Sequence, residues 1–396
     1  GGVSAITITL PATAKAGQKN SLKLKANVTA SDLCGLNVSF ELRRDVQAYV
    51  SAWGDKAIHR FELDGSTATG TSVYLQEQAA LSGLTADTKG RLYYMLARDR
   101  VIKRINTTTG KPEVVATDVG AAGQELAKMV FGPDGKLYAI AGPSLYQVDV
   151  DSGKVTLLET IAGERRLSVI VFDRDGSLLL GGVPVDRKTA HNMYRLAWPP
   201  DKNNAVLHVN PSSLLDPQTI VNPWNLGAAL GEDGLMYVGV FPATNWAGLI
   251  YRIEANKALT KLLDLAAMQK DVPLTKYAGI HGLSFGCGGN LYFVNQNSSG
   301  SNEGNFGQLL RCKDASCQSV SLVGDGMYLD FPLGVDGDLI ISKETVGAVS
   351  TAVDDQGLAE ATIDVPDRKG CHEVRALLTD PRTGAIFEAR ASVSVE

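Results

Sequence analysis

No stretch of this 396-residue chain approaches the roughly 18–20 consecutive apolar residues that a membrane-spanning helix requires. None of its five cysteines forms a C-x-x-C pair, which sets aside zinc ribbons and thioredoxin-like chemistry. Basic clusters are missing too: 38 Lys and Arg are scattered among 43 Asp and Glu, for a net charge of -5. That balance argues against a nucleic-acid groove or a polybasic membrane patch. Only five histidines are present, and no two are spaced as ligands on one helix face. The chain opens on Gly1-Gly2 without a leader, an absence that says nothing about export.

What the chain has is glycine, 41 residues of it, much of it in a pattern. Six segments read as apolar strand, tight turn ending in Gly, and second apolar strand: GLTADTKGRLYYM, MVFGPDGKLYAI, VIVFDRDGSLLLG, AALGEDGLMYVGV, LSFGCGGNLYFVN and PLGVDGDLIISK. The turn glycines are Gly90, Gly135, Gly176, Gly234, Gly289 and Gly337, between 41 and 58 residues apart. Asp-Gly and Gly-Gly supply the positive φ of a tight hairpin, and the nearly unbroken apolar flanks read as strands buried on both faces. Third and fourth strands follow, as in VIKRINTTTGKPEVVA, LYQVDVDSGKVTLLE and IYRIEANKALTKLL. Four antiparallel strands per repeat make the blade of a β-propeller. Asp149-Val150-Asp151-Ser152-Gly153 is then a hairpin turn of a blade and not a calcium loop, and Gly282-Leu283-Ser284-Phe285-Gly286 is a strand and not a nucleophile elbow.

The units FGPDGKLYAI (131–140), GEDGLMYVGV (231–240) and RDGSLLLGG (174–182) resemble the six-bladed NHL and SMP-30/gluconolactonase-like propellers over residues ~45–345. Segment 49–76 holds outer strands without a glycine-turn unit, and 328–343 holds an inner pair without followers. Joined, they close the ring as a sixth, composite blade; separate blades at each end would make seven.

The flanks, 5–42 and 351–395, each alternate apolar and polar residues, and together supply about seven strands, enough for one sandwich. Val38-Ser39-Phe40-Glu41-Leu42, Asp354-Asp355-Gln356-Gly357-Leu358-Ala359, Gly370 and Val374-Arg375-Ala376 resemble a bacterial Ig-like domain of the invasin/intimin type. The expected architecture is all-β: an Ig-like β-sandwich split into residues 3–44 and 346–396, with the propeller, 45–345, inserted. Two disulfides and one leftover thiol are expected, which implies an oxidising, extracytoplasmic setting. Cys312 and Cys317 staple a turn, and the Ig-like resemblance makes Cys34 and Cys371 candidates for a bridge across the split domain. Cys287, on the same face as the Cys312–Cys317 turn, competes for either Cys312 or Cys317.

In a propeller the glycine turns lie on one face, and the loops between strands two and three and between blades lie on the other. All the long loops here are of the second kind, 183–192, 209–225, 240–247, 266–281 and 294–307, and long loops are usually functional. They carry Trp224, Asn225, Phe241, Trp246, Tyr277, His281, Asn305 and Phe306, a mix suited to a glycan or protein ligand, or else to padding against the loops themselves. Ser82, Lys128, Arg166, Asn225, His281 and Asp330 enter the innermost strands and ring the channel. The SMP-30 resemblance implies a metal there; Asn225, His281 and Asp330 are its candidates, calcium its alternative cofactor, and a hydrogen-bonded polar plug the plainer reading. The functional expectation is a non-catalytic extracytoplasmic binding or adhesion module, without cofactor, membrane insertion or nucleic-acid partner. A metal-dependent, lactonase-like hydrolase and a scaffold of a surface assembly are the alternatives.

Overall fold

A computed structural model describes residues 2–52, 56–64, 67–184, 192–200, 205–209, 227–240, 248–268, 277–298, 306–312, 316–323, 329–330 and 338–396. The chain forms a β-propeller. Four consecutive four-stranded antiparallel sheets, here blades 1 to 4, cover residues 81–116, 126–160, 164–209 and 228–264. Blade 5 covers 277–322 and takes a short additional strand, Leu329–Asp330, against Phe306 and Gly307. Each blade begins with the expected hairpin. In blade 2 the Asp134 carboxylate accepts the Lys136 N–H (3.0 Å) and the Tyr138 hydroxyl (3.0 Å), while Gly135 holds φ +73°. Blade 4 repeats the device with Asp233, Leu235, Tyr237 and Gly234. The D-G-x-x-Y spelling thus ties the turn to the second strand, and only glycine takes that backbone conformation without strain.

The ring closes through both ends of the chain. Strands Leu339–Ala352, Asn37–Ala52, Ala57–Asp64 and Thr67–Gln76 lie side by side in that order. Leu339–Ala352 touches the first strand of blade 1 and the first strand of blade 5. Among the described residues the propeller therefore has six blades, the sixth being composite; Gly337 and the first strand expected before it lie outside them.

The termini meet in a second body of two sheets. Val3–Thr9, Leu22–Ala30 and Leu358–Ile363 form one; Thr13–Ala14, Ile386–Val395, Gly370–Thr379, Asn37–Ala52 and Leu339–Ala352 form the other. Leu22, Leu24, Ala26 and Val28 are buried between exposed Lys23, Lys25 and Asn27, and they share one core with Val38, Phe40, Leu42, Val374, Ala376, Leu378 and Val393. This is the period-2 signature of a strand with one face inward. Strands Asn37–Ala52 and Leu339–Ala352 belong to both bodies. They pair from Ala352–Asn37 in the sandwich to Leu339–Val50 in blade 6, with irregularities at Ser342/Lys343 and Thr345/Gly347. The expected boundaries near 44 and 345 thus fall inside a two-stranded ribbon.

One expected disulfide is corrected. Cys371 pairs with Cys287 (Cα–Cα 5.9 Å), and Cys34 is exposed and free. Strand Gly370–Thr379 is antiparallel to Asn37–Ala52, with Leu377 opposite Ser39 and Glu373 opposite Arg43. Cys34 therefore lies beyond the far end of that strand from Cys371, a separation of at least about 25 Å at about 3.3 Å per residue. Cys312–Cys317 forms as expected.

Candidate functional site

The sandwich rests on the glycine-turn face of the propeller. Arg375 Nη2 donates to Thr88 O in the blade 1 turn (3.4 Å), and Ile386 N–H to Pro133 O in the blade 2 turn. Ser392 Oγ accepts the Gly288 N–H of the blade 5 turn (2.9 Å) and donates to Glu232 Oε1 of the blade 4 turn (2.6 Å). Strand Ile386–Val395 thus runs from the blade 2 turn to those of blades 4 and 5, and the Cys287–Cys371 bond fixes one end of the contact. Beneath it lies a buried ionic seam. Lys343 Nζ sits 2.6 Å from Asp45 Oδ1 and 3.3 Å from Glu373 Oε2, Arg43 pairs with Glu373, and Asp45 Oδ2 accepts the Cys287 N–H (2.8 Å). Burial alone would raise the Glu373 carboxyl, but Lys343, Arg390 and Arg43 draw it down to about 2. Burial raises Glu232, against the pull of the Ser392 hydroxyl. None of these roles had been read from the sequence.

Of the expected ligand and metal residues, Tyr277, His281, Phe306 and Asp330 lie in described strands, all in blade 5. The ladder of blade 5 brings three of them to one end: Tyr277 pairs with Ser298, Phe306 with Asn297, and Phe306 again with Asp330. His281 is 5% exposed and lies where the first strand slips register between Ile280 and Leu283. Blades 1, 2 and 3 have register shifts at corresponding places, Ser82/Leu84, Leu126/Lys128 and Leu167/Val169. Such bulges re-aim the side chains they carry. Trp224, Asn225, Phe241, Trp246 and Asn305 lie outside the described residues.

In the ring itself, Lys128 is buried and committed: its Nζ is 2.5 Å from Asp338 Oδ1, and Asp338 Oδ2 also accepts the Leu84 N–H (3.1 Å). The Asp338 N–H in turn donates to Ser51 Oγ (2.9 Å), and Ser82 Oγ donates to Leu126 O (2.9 Å). Blades 1, 2 and 6 are thereby stitched together by polar side chains. Asp338, directly after a turn glycine, escaped the sequence reading; a carboxylate there within an apolar strand was its one visible signal. Among the described residues no three His, Cys, Asp or Glu side chains converge as metal ligands.

These features define a β-propeller protein whose turn face is covered by a two-sheet sandwich. No family model matches the sequence, and no curated protein does. Solved structures do. A chain of a nidogen/laminin complex aligns at 12% identity over 74% of this chain and 98% of its own, with a TM-score of 0.50. Virginiamycin B lyase from Staphylococcus aureus aligns at 14% identity over 82% and 99%, with a TM-score of 0.45. A gluconolactonase from Xanthomonas campestris aligns at 14% over 89% and 97%, with a TM-score of 0.44. At such identities the likeness concerns the fold and carries no activity across.

Proposed function

We propose that this chain is an extracytoplasmic binding module that presents the loop face of its propeller to a glycan or protein ligand. The observation that carries this reading is the covered turn face. With the sandwich lying across four of the glycine turns, the opposite rim is where a ligand meets the propeller. The sandwich serves as the platform, and its parallel pairing of Thr13–Ala14 with Ser394–Val395 suits an immunoglobulin-like type. Two disulfides, together with no helix among the described residues long and apolar enough to cross a membrane, fit an oxidising compartment. Deleting 299–305 and replacing Trp246→Ala are each expected to weaken binding by about tenfold or more in a glycan or protein-binding screen, with thermal unfolding unchanged. Unchanged binding in both variants would overturn the reading.

A second reading, a metal-dependent hydrolase acting in the channel, is favoured by one observation: buried His281 at a bulge of an innermost strand. Stoichiometric calcium or zinc in purified protein, lost on His281→Ala together with lactone hydrolysis, would establish it in place of the first.

A further inference from the structure

Two shielded carboxylates at the loop end of the propeller differ in one respect. Glu77 precedes the innermost strand of blade 1, and Glu164 opens that of blade 3, paired with Pro184 at the hairpin end opposite the glycine turn. Each accepts a 2.5 Å hydrogen bond from a tyrosine, Tyr94 in blade 1 and Tyr194 in blade 3. In blade 1 a cation completes the set: Lys103 Nζ lies 2.8 Å from the same oxygen, Glu77 Oε1. Lys103 stands opposite Tyr94, four residues past its turn glycine. In blade 3 the matching position, opposite Leu180, is taken by Tyr194 itself. At that register position blade 3 therefore carries no ammonium.

Among the described residues, the hydrogen-bond partners of Glu164 are neutral. Its residue is 5% exposed; Oε1 accepts from Tyr194 and from Asn192 Nδ2 (2.9 Å), and Oε2 has no hydrogen-bond partner. A Cβ on Gly182 would stand 2.6 Å from Oε2, so the backbone beneath is cleared for the carboxyl group. Burial, reinforced by Glu164, pushes the Tyr194 hydroxyl up to about 12, which keeps it a neutral donor. A buried carboxylate without a compensating charge is expensive for the fold, and an unmade hydrogen bond adds to the cost.

We propose that Glu164, Tyr194 and Asn192 form a receptor for the primary ammonium group of a ligand. The half-buried Asn192 amide, which also lies 3.3 Å from the Tyr194 hydroxyl, is the piece the incoming group displaces. An ammonium in its place brings three donors and the positive charge that Lys103 brings to Glu77. The site rests on the loop face being the ligand face and adds the chemistry that one part of it recognises.

The test is thermal unfolding and calorimetry of the intact chain with n-butylammonium chloride, against sodium chloride at equal ionic strength. Wild type is expected to bind butylammonium and to unfold at a higher temperature in it. Glu164→Gln should bind it about tenfold or more weakly, as loss of a charge-assisted hydrogen bond predicts. Asn192→Lys, which rebuilds the blade 1 arrangement, should unfold later than wild type and bind no amine. Glu77→Gln should unfold earlier and keep the amine response. Nα-acetyl-lysine methylamide separates the sources: equal affinity points to free amines, tighter affinity to a lysine within a polypeptide. No shift beyond sodium chloride in wild type, or an undiminished shift in Glu164→Gln, overturns the site. If glycan or protein binding still responds to the loop variants in that case, the loop-face reading stands without it.

Discussion

The two faces of the propeller are built by opposite rules. On the turn face the charges of the seam, Arg43, Asp45, Lys343 and Glu373, are buried and paired with one another, and a disulfide crosses the contact. Lys343, with 6% of its side chain exposed, lies between Asp45 and Glu373, at 5% and 3%. On the loop face, Glu164 is as deeply buried and lacks a cation among the described residues. A surface meant to stay shut can satisfy its charges internally. A surface meant to receive something leaves a valence open. Burial gives this contrast its force: the Lys25–Glu360 pair on the outside of the sandwich is just as short at 2.5 Å, yet both side chains are half exposed, and such pairs contribute little.

The contrast breaks most visibly at Glu373. Glu373→Ala leaves Arg43 and Lys343 buried without their shared carboxylate, and removing one member of a buried pair typically costs about 3–5 kcal/mol. Chemical denaturation is expected to show that loss. A change below about 1 kcal/mol would mean that the turn face is wet and loosely docked. The disulfides sharpen the same point. The Cys287–Cys371 loop spans 84 residues and Cys312–Cys317 spans 5. Chain entropy then predicts losses of about 4.5 and about 2 kcal/mol for the double serine variants. The first variant should also expose the turn face to hydrogen exchange at Gly288 and Ile386, and the second should not.

Much of this architecture was legible because its signals are local. A turn such as Asp134-Gly135 or Asp233-Gly234 needs only its own φ and its own carboxylate, so each hairpin is readable within a dozen residues. The composite sixth blade was readable as well, since each end of the chain held half a blade. What could not be read depends on docking. Strand Gly370–Thr379 shows Val374, Ala376 and Leu378 alternating with polar residues, which on its own means one face in solvent. Its polar face instead meets the propeller, so five successive residues, His372 to Ala376, are buried together, and Glu373 and Arg375 become interior charges. Opposite-signed charges alternating on the polar side of a core strand were the available signal. The Cys34–Cys371 assignment failed for a related reason: the resemblance placed both cysteines in one domain, and only the register shows that they sit at opposite ends of it. Glu164 is legible only by comparison with Glu77, because the missing lysine is an absence at a register position.

Acid offers the gentlest way to separate the two faces. Glu373 is held at about 2, well below its ordinary 4.5, so its stabilisation is complete above the ordinary value and is lost as pH falls from there toward 2. Glu232 runs the other way: with its carboxyl raised by burial, the fold favours the protonated form, and this group gains as pH drops through its raised value. Stability should therefore rise slightly on mild acidification and turn down below about pH 4.5. Glu232→Gln should remove the rise and keep the fall, and Glu373→Gln should flatten the fall. Because these groups lie on the covered face, amine affinity at neutral pH should be the same in Glu373→Gln as in wild type. If it fell with that substitution while the chain stayed folded, the two faces would be one coupled unit, and the division of labour drawn between them would be wrong.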